Sequence, residues 1–169
     1  FVFRSLASVA RHNSKETFYA EGLTAMLLRV VRSRNAAPFI GMAWRVVREL
    51  ADSRYLKTPM ARVPGFPEAA VDGLRNENPA TRWRALRALG KVTSSTEASR
   101  FVDTPAVMSA LTDILATHGI LLEVDAELDH EVYVVAAMCI ANLVGSGANA
   151  ASRLHLVPKD FCLVRDMVQ

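Results

Sequence analysis

One phrase occurs twice in this chain. Trp44 to Leu50 reads WRVVREL and Trp83 to Leu89 reads WRALRAL. The offset is 39 residues, with Trp, Arg, Arg and Leu identical at corresponding places. A fixed period of that length marks an array of helical supersecondary units that stack to bury faces no single unit can cover.

The second copy carries its own helix-start chemistry. Asn78 is suited to cap a helix through its side-chain oxygen, and Pro79 fits the first helical position, where a missing N–H costs nothing. Ala85, Leu86, Leu89 and Val92 recur at helical spacing, with Arg84, Arg87 and Lys91 on a separate ridge. The same reasoning predicts a short helix over 3–12, then helices over 15–32, 39–51, 67–75, 79–93, 105–118 and 130–144. The last of these is capped by Asp129. A final helix opens at Pro158. Residues 52–66, with Pro59, Pro64 and Gly65, read as a long loop, and residues 94–103 as a polar connection. Nothing alternates with the period of a strand. The expected fold is all-α: a right-handed α-solenoid of about four stacked helix pairs. Its units run roughly over 1–35, 36–77, 78–119 and 128–169, with an acidic insertion over 119–129.

Composition agrees with packed helices. The chain is 51% hydrophobic but only 7% aromatic, so its core must be aliphatic. The net charge of +3 conceals an imbalance: residues 1–100 carry 17 Lys/Arg against 8 Asp/Glu, and residues 101–169 carry 3 against 9. Arg is the dominant cation, which suits phosphate or interface ion pairs, although a GC-rich genome raises Arg and Ala together. Cys139 and Cys162 fall in apolar helical patterns and read as buried free thiols. No segment reaches the ~20 apolar residues of a membrane span. The stretch FVFRSLASVARHNSK, basic and free of acids, resembles the end of a mitochondrial targeting segment.

Residues Ala136 to Leu143, AAMCIANL, resemble the inner-helix signature of armadillo repeats, with Ile140 in the Leu place and Asn142 in the Asn place. NPATRWRALRALGKV resembles the same helix in armadillo or HEAT units. Aligned on Leu50, Leu89 and Leu143, the inner helices stand 39 and 54 residues apart, the larger gap being one unit plus the insertion. Armadillo proteins that bind extended peptides use a ladder of that Asn. Here its equivalents are Glu49 and Ala88, so the resemblance implies the fold but not that ladder. Asn142 is then a groove candidate or a lone structural hydrogen-bonder.

The 39-residue offset aligns Arg45 and Arg48 with Arg84 and Arg87. Stacking would bring these four together, with Lys91 extending the row, as a contact for RNA phosphates or an acidic partner surface. In the third unit those places become Met138 and Ala141, which ends the row. Local pairs such as Arg45–Glu49 are the plainer alternative. Trp44 and Trp83 read as core. Glu123, Asp125, Glu127 and Asp129 alternate through the insertion; they lack the EF-hand pattern and read as a solvated acidic docking loop. Gly145-Ser146-Gly147 has neither the strand of a nucleophile elbow nor the Lys-Ser/Thr of a phosphate loop. No catalytic arrangement, cofactor motif or metal site is expected. The expected role is a non-catalytic scaffold, a structural or accessory subunit of a larger, mitochondrial or otherwise cytoplasmic, multi-protein or ribonucleoprotein assembly. Apolar residues at both ends, Phe1-Val2-Phe3 and Met167-Val168, would be covered by neighbours. The alternatives are an RNA-contacting module and a soluble adaptor that takes a partner peptide or helix in its groove.

Overall fold

The computed structural model describes residues 21–33, 36–118 and 126–146. Within them the chain is helical throughout and contains no strand. The helices are α1 (Glu21–Arg32), α2 (Ala37–Leu50), α3 (Lys57–Arg62), α4 (Phe66–Leu74), α5 (Pro79–Thr93), α6 (Thr96–Val102), α7 (Pro105–His118) and α8 (Ala126–Ser146).

Contacts between helices repeat every third element. α2 packs on α5 and α5 on α8; α1 packs on α4 and α4 on α7; the short α3 packs on α6. Across these rows the consecutive long helices α1/α2, α4/α5 and α7/α8 also pack together. The buried residues follow the 3.6-residue period expected of such faces. On α5 they are Ala85, Leu86, Ala88, Leu89 and Val92, and on α2 they are Ala43, Trp44, Val46, Val47 and Leu50.

Two helices stand where the sequence reads as connection, so the helices come in threes rather than pairs. α3 was hidden by Pro59. That residue is the third of the helix, where the backbone N–H has no intrahelical partner to lose. Buried Leu56, Met60 and Ala61 hold α3 to the body. α6 was hidden by its polar composition. Ser95 caps it by accepting from the Ala98 N–H. Ser99, fully buried, spends its hydroxyl within the chain: it donates to the Thr93 carbonyl at 2.6 Å and lies 3.0 Å from that of Ser95. A polar residue so satisfied costs little to bury.

The last described helix also begins earlier than expected. α8 starts at Ala126 rather than after an Asp129 cap, which takes Glu127 and Asp129 into its first turns. Glu123 and Asp125, the predicted helices over 3–12 and after Pro158, the part of the 15–32 helix before Glu21, and Cys162 lie outside the described residues.

The α5 start is as the sequence requires. Asn78 Oδ1 accepts from the N–H groups of Ala80 at 2.9 Å and Thr81 at 3.2 Å, and Pro79 occupies the first turn.

Candidate functional site

The row α2–α5–α8 presents corresponding positions on successive helices. The aligned series is Gly41, Arg45 and Arg48 on α2 with Asp52 just past its end; Ala80, Arg84, Arg87 and Lys91 on α5; and Val134, Met138, Ala141 and Gly145 on α8. Two approaches tie the first two series together. A Cβ placed on Gly41 would lie 2.5 Å from Arg84 Nη1, so the absent side chain leaves room for that guanidinium. At the other end Lys91 Nζ pairs with Asp52 Oδ1 at 3.1 Å.

Between these rungs Arg45, Arg48, Arg84 and Arg87, with Trp83, line one cleft of about 290 Å³. The four arginines that the repeat aligned are brought together. Lys91 is not among the lining residues; its charge is met by Asp52, so it does not extend the free cationic row. Arg48 is anchored: its Nη2 lies 2.6 Å from Glu49 Oε1, and Glu49 is almost wholly buried, with 3% of its surface exposed. A buried carboxylate needs such a charge-assisted partner. Among the described residues Arg45, Arg84 and Arg87 make no ion pair. Their positive charge is therefore concentrated and available.

The two repeat-equivalent tryptophans have opposite fates. Trp44 is fully buried, edge-on to Phe66 with ring centroids 6.4 Å apart. It fits because Gly73 on α4 has no side chain: a Cβ there would sit 2.6 Å from Trp44 Nε1 and 2.8 Å from Cε2. The fit leaves the Trp44 N–H buried without a hydrogen-bond acceptor. The positions on α7 that correspond to Gly73, Leu111 or Thr112 according to which helix sets the register, both carry side chains. Trp83 is placed differently. It stays half-buried, lines the cleft, and holds the Arg87 guanidinium 5.3 Å from its ring centre. Reading both tryptophans as core holds for Trp44 and in part for Trp83, which packs against the core on one side and lines the cleft on the other.

No known protein family matches the chain, and neither a curated protein nor a solved structure is significantly similar to it.

The other candidates are placed as follows. Asn142 is half-buried on α8, and its equivalents Ala88 and Glu49 are buried, so this position faces inward along the row. Glu127 and Asp129 lie on α8, on whose opening residues no cleft is described. Among the described residues no group of His, Cys, Asp and Glu is placed to hold a metal, and no helix is long and apolar enough to cross a membrane. Cys139 is a free, fully buried thiol between α8 and α5. Burial pushes it up to about 12, against the smaller opposing effect of a hydrogen bond with Thr93.

Sequence reasoning missed three parts of this surface: Trp83 in the cleft, Gly41 beneath Arg84, and Glu49 behind Arg48. Only Gly41 left a trace, since its alignment with Ala80 shows small residues at one rung.

Proposed function

We propose that the chain is a non-catalytic helical-repeat scaffold of the armadillo/HEAT kind, a right-handed solenoid that serves as a structural or accessory subunit of a larger assembly. The observation that carries this reading is the three-element period of the packing, in which α1–α4–α7 and α2–α5–α8 each form a continued row. A unit in such a row meets only its neighbours and leaves one long surface on each side. Such surfaces serve contact rather than chemistry, and the face of α2–α5–α8 bears a cluster of arginines without a nucleophile or general base among its cleft-lining residues.

The test is the behaviour of the tagged protein in an extract of its own cells. Size exclusion at low salt should carry it in a complex well above its own mass, with constant stoichiometry across the peak. Elution as a free monomer overturns the reading.

A further inference from the structure

We infer that the α2–α5–α8 face is a two-part docking site for an acidic segment of a partner protein, its carboxylates seated on the arginine cleft and adjoining apolar side chains on α8. This rests on the scaffold reading and names the chemistry of the partner.

Three observations select that occupant. First, the cleft concentrates four guanidiniums, and among the described residues the one ion pair they make is that of Arg48 with Glu49. Arg forks match carboxylates bidentately, so a run of Asp and Glu is complementary in both charge and geometry. Second, the cationic rows stop at two helices. On α8 the places of Ala80 and Arg84 are taken by Val134 and Met138, both among the large apolar side chains left exposed. Such a boundary suits a chain that changes from acidic to apolar along its length. Third, one aromatic side chain lines the cleft, and its face is already occupied by Arg87. A single-stranded nucleic acid needs cations continued along its path and several aromatic platforms. A protein segment needs neither.

The site also has built-in support. Gly41 clears the space for Arg84, Glu49 fixes Arg48 from beneath, and the Lys91–Asp52 pair closes one end of the cationic rungs. Held side chains lose less freedom when a ligand arrives, which favours binding.

The experiment is fluorescence anisotropy on the purified chain with three probes: a fluorescein-labelled peptide with an acidic block followed by leucines, the same peptide with its leucines replaced by serine, and an oligouridylate of equal charge. The first probe should bind most tightly. R84A/R87A, two exposed positions whose change spares the fold, should weaken it by on the order of tenfold or more and flatten its salt dependence. R84K/R87K should retain part of the binding. V134S/M138S should lower the preference for the leucine-bearing probe and leave the salt dependence intact. Circular dichroism of each variant confirms an unchanged fold.

Tighter binding of the oligouridylate, lost in R84A/R87A, overturns the proposal in favour of RNA. Failure of all three probes, or equal binding to wild type and R84A/R87A, overturns it outright. A dimer of the chain that dissociates in R84A/R87A overturns it in favour of a second copy as occupant. None of these results bears on whether the chain resides in an assembly, so failure here is separable from failure of the scaffold reading.

Discussion

Gly73 offers the sharpest test of how this fold distributes its tryptophans. The residue lies inside α4 with ordinary helical backbone, since among the described residues only Gly65 has positive φ. On propensity alone, Gly73→Ala should stabilise the helix by about 1 kcal/mol. The packing opposes it. The new Cβ would stand 2.6 Å and 2.8 Å from Trp44 Nε1 and Cε2 and 2.8 Å from the Ala85 Cβ. Carbon atoms prefer separations of about 3.5–4.0 Å, so the overlap is close to 1 Å on two sides. Trp44 cannot retreat, because it is fully enclosed and edge-on to Phe66. Overpacking of this kind costs about 1–3 kcal/mol, which leaves a net loss of up to ~2 kcal/mol after the propensity gain. In a Trp44→Leu background the two tryptophan contacts are gone and the 2.8 Å approach to the Ala85 Cβ remains, so the same Gly73→Ala change should cost clearly less than in wild type. The assay is urea denaturation followed by far-UV circular dichroism on wild type, both single variants and the double. The coupling energy of the cycle should reach about 1–3 kcal/mol. An equal effect of Gly73→Ala in both backgrounds would refute the notch.

Other consequences are measurable. Because Trp44 is enclosed and Trp83 stands among arginines, iodide should quench the native fluorescence far more than caesium does, and R84A/R87A should shrink that difference; equal quenching by the two ions counts against a cationic cleft. Cys139 should resist Ellman's reagent in the native protein and react on unfolding. Its proton is held to about 12 in the fold, against a usual value near 9. The unfolded chain therefore releases that proton first, and stability from this group is lost as pH rises from about 9 to about 12. Cys139→Ala, although less stable at neutral pH, should show a shallower alkaline decline; an identical decline would assign it to other groups. Asn78→Ala removes an acceptor of two first-turn N–H groups and should cost about 1 kcal/mol in a denaturation midpoint shift at constant slope.

The parts of the fold visible in the sequence were those decided locally. Asn78-Pro79 specifies a helix start by its own atoms, and the alternation of Leu86, Leu89 and Val92 with Arg84 and Arg87 specifies which side is buried. The 39-residue repeat carried this further, since equal sequence on stacked helices places equal residues side by side; that is how the four arginines could be grouped before any coordinates. The parts that stayed hidden depend on distant partners. Pro59 reads as a loop until its place in the first turn of α3 is known. Trp83 repeats Trp44 in sequence, yet it packs only partly against the core and forms a wall of the cleft. Glu49 reads as a surface acid, yet it is buried and paired with its neighbour Arg48.

Three of the four described ion pairs that join successive units share a direction. Arg32 of α1 faces Asp72 of α4 at 3.7 Å, Arg62 of α3 faces Glu97 of α6 at 2.7 Å, and Arg75, just past α4, faces Asp113 of α7 at 3.3 Å. In each the cation comes from the earlier helix and the carboxylate from the later one; the Lys91–Asp52 pair runs the other way. Each pair is solvent-exposed and contributes little to stability, of order 1 kcal/mol or less. Their value lies in grammar: an early segment ends in a plus and expects a minus to follow. A shifted segment would forgo these matches, a penalty no larger than the small energies of the pairs themselves.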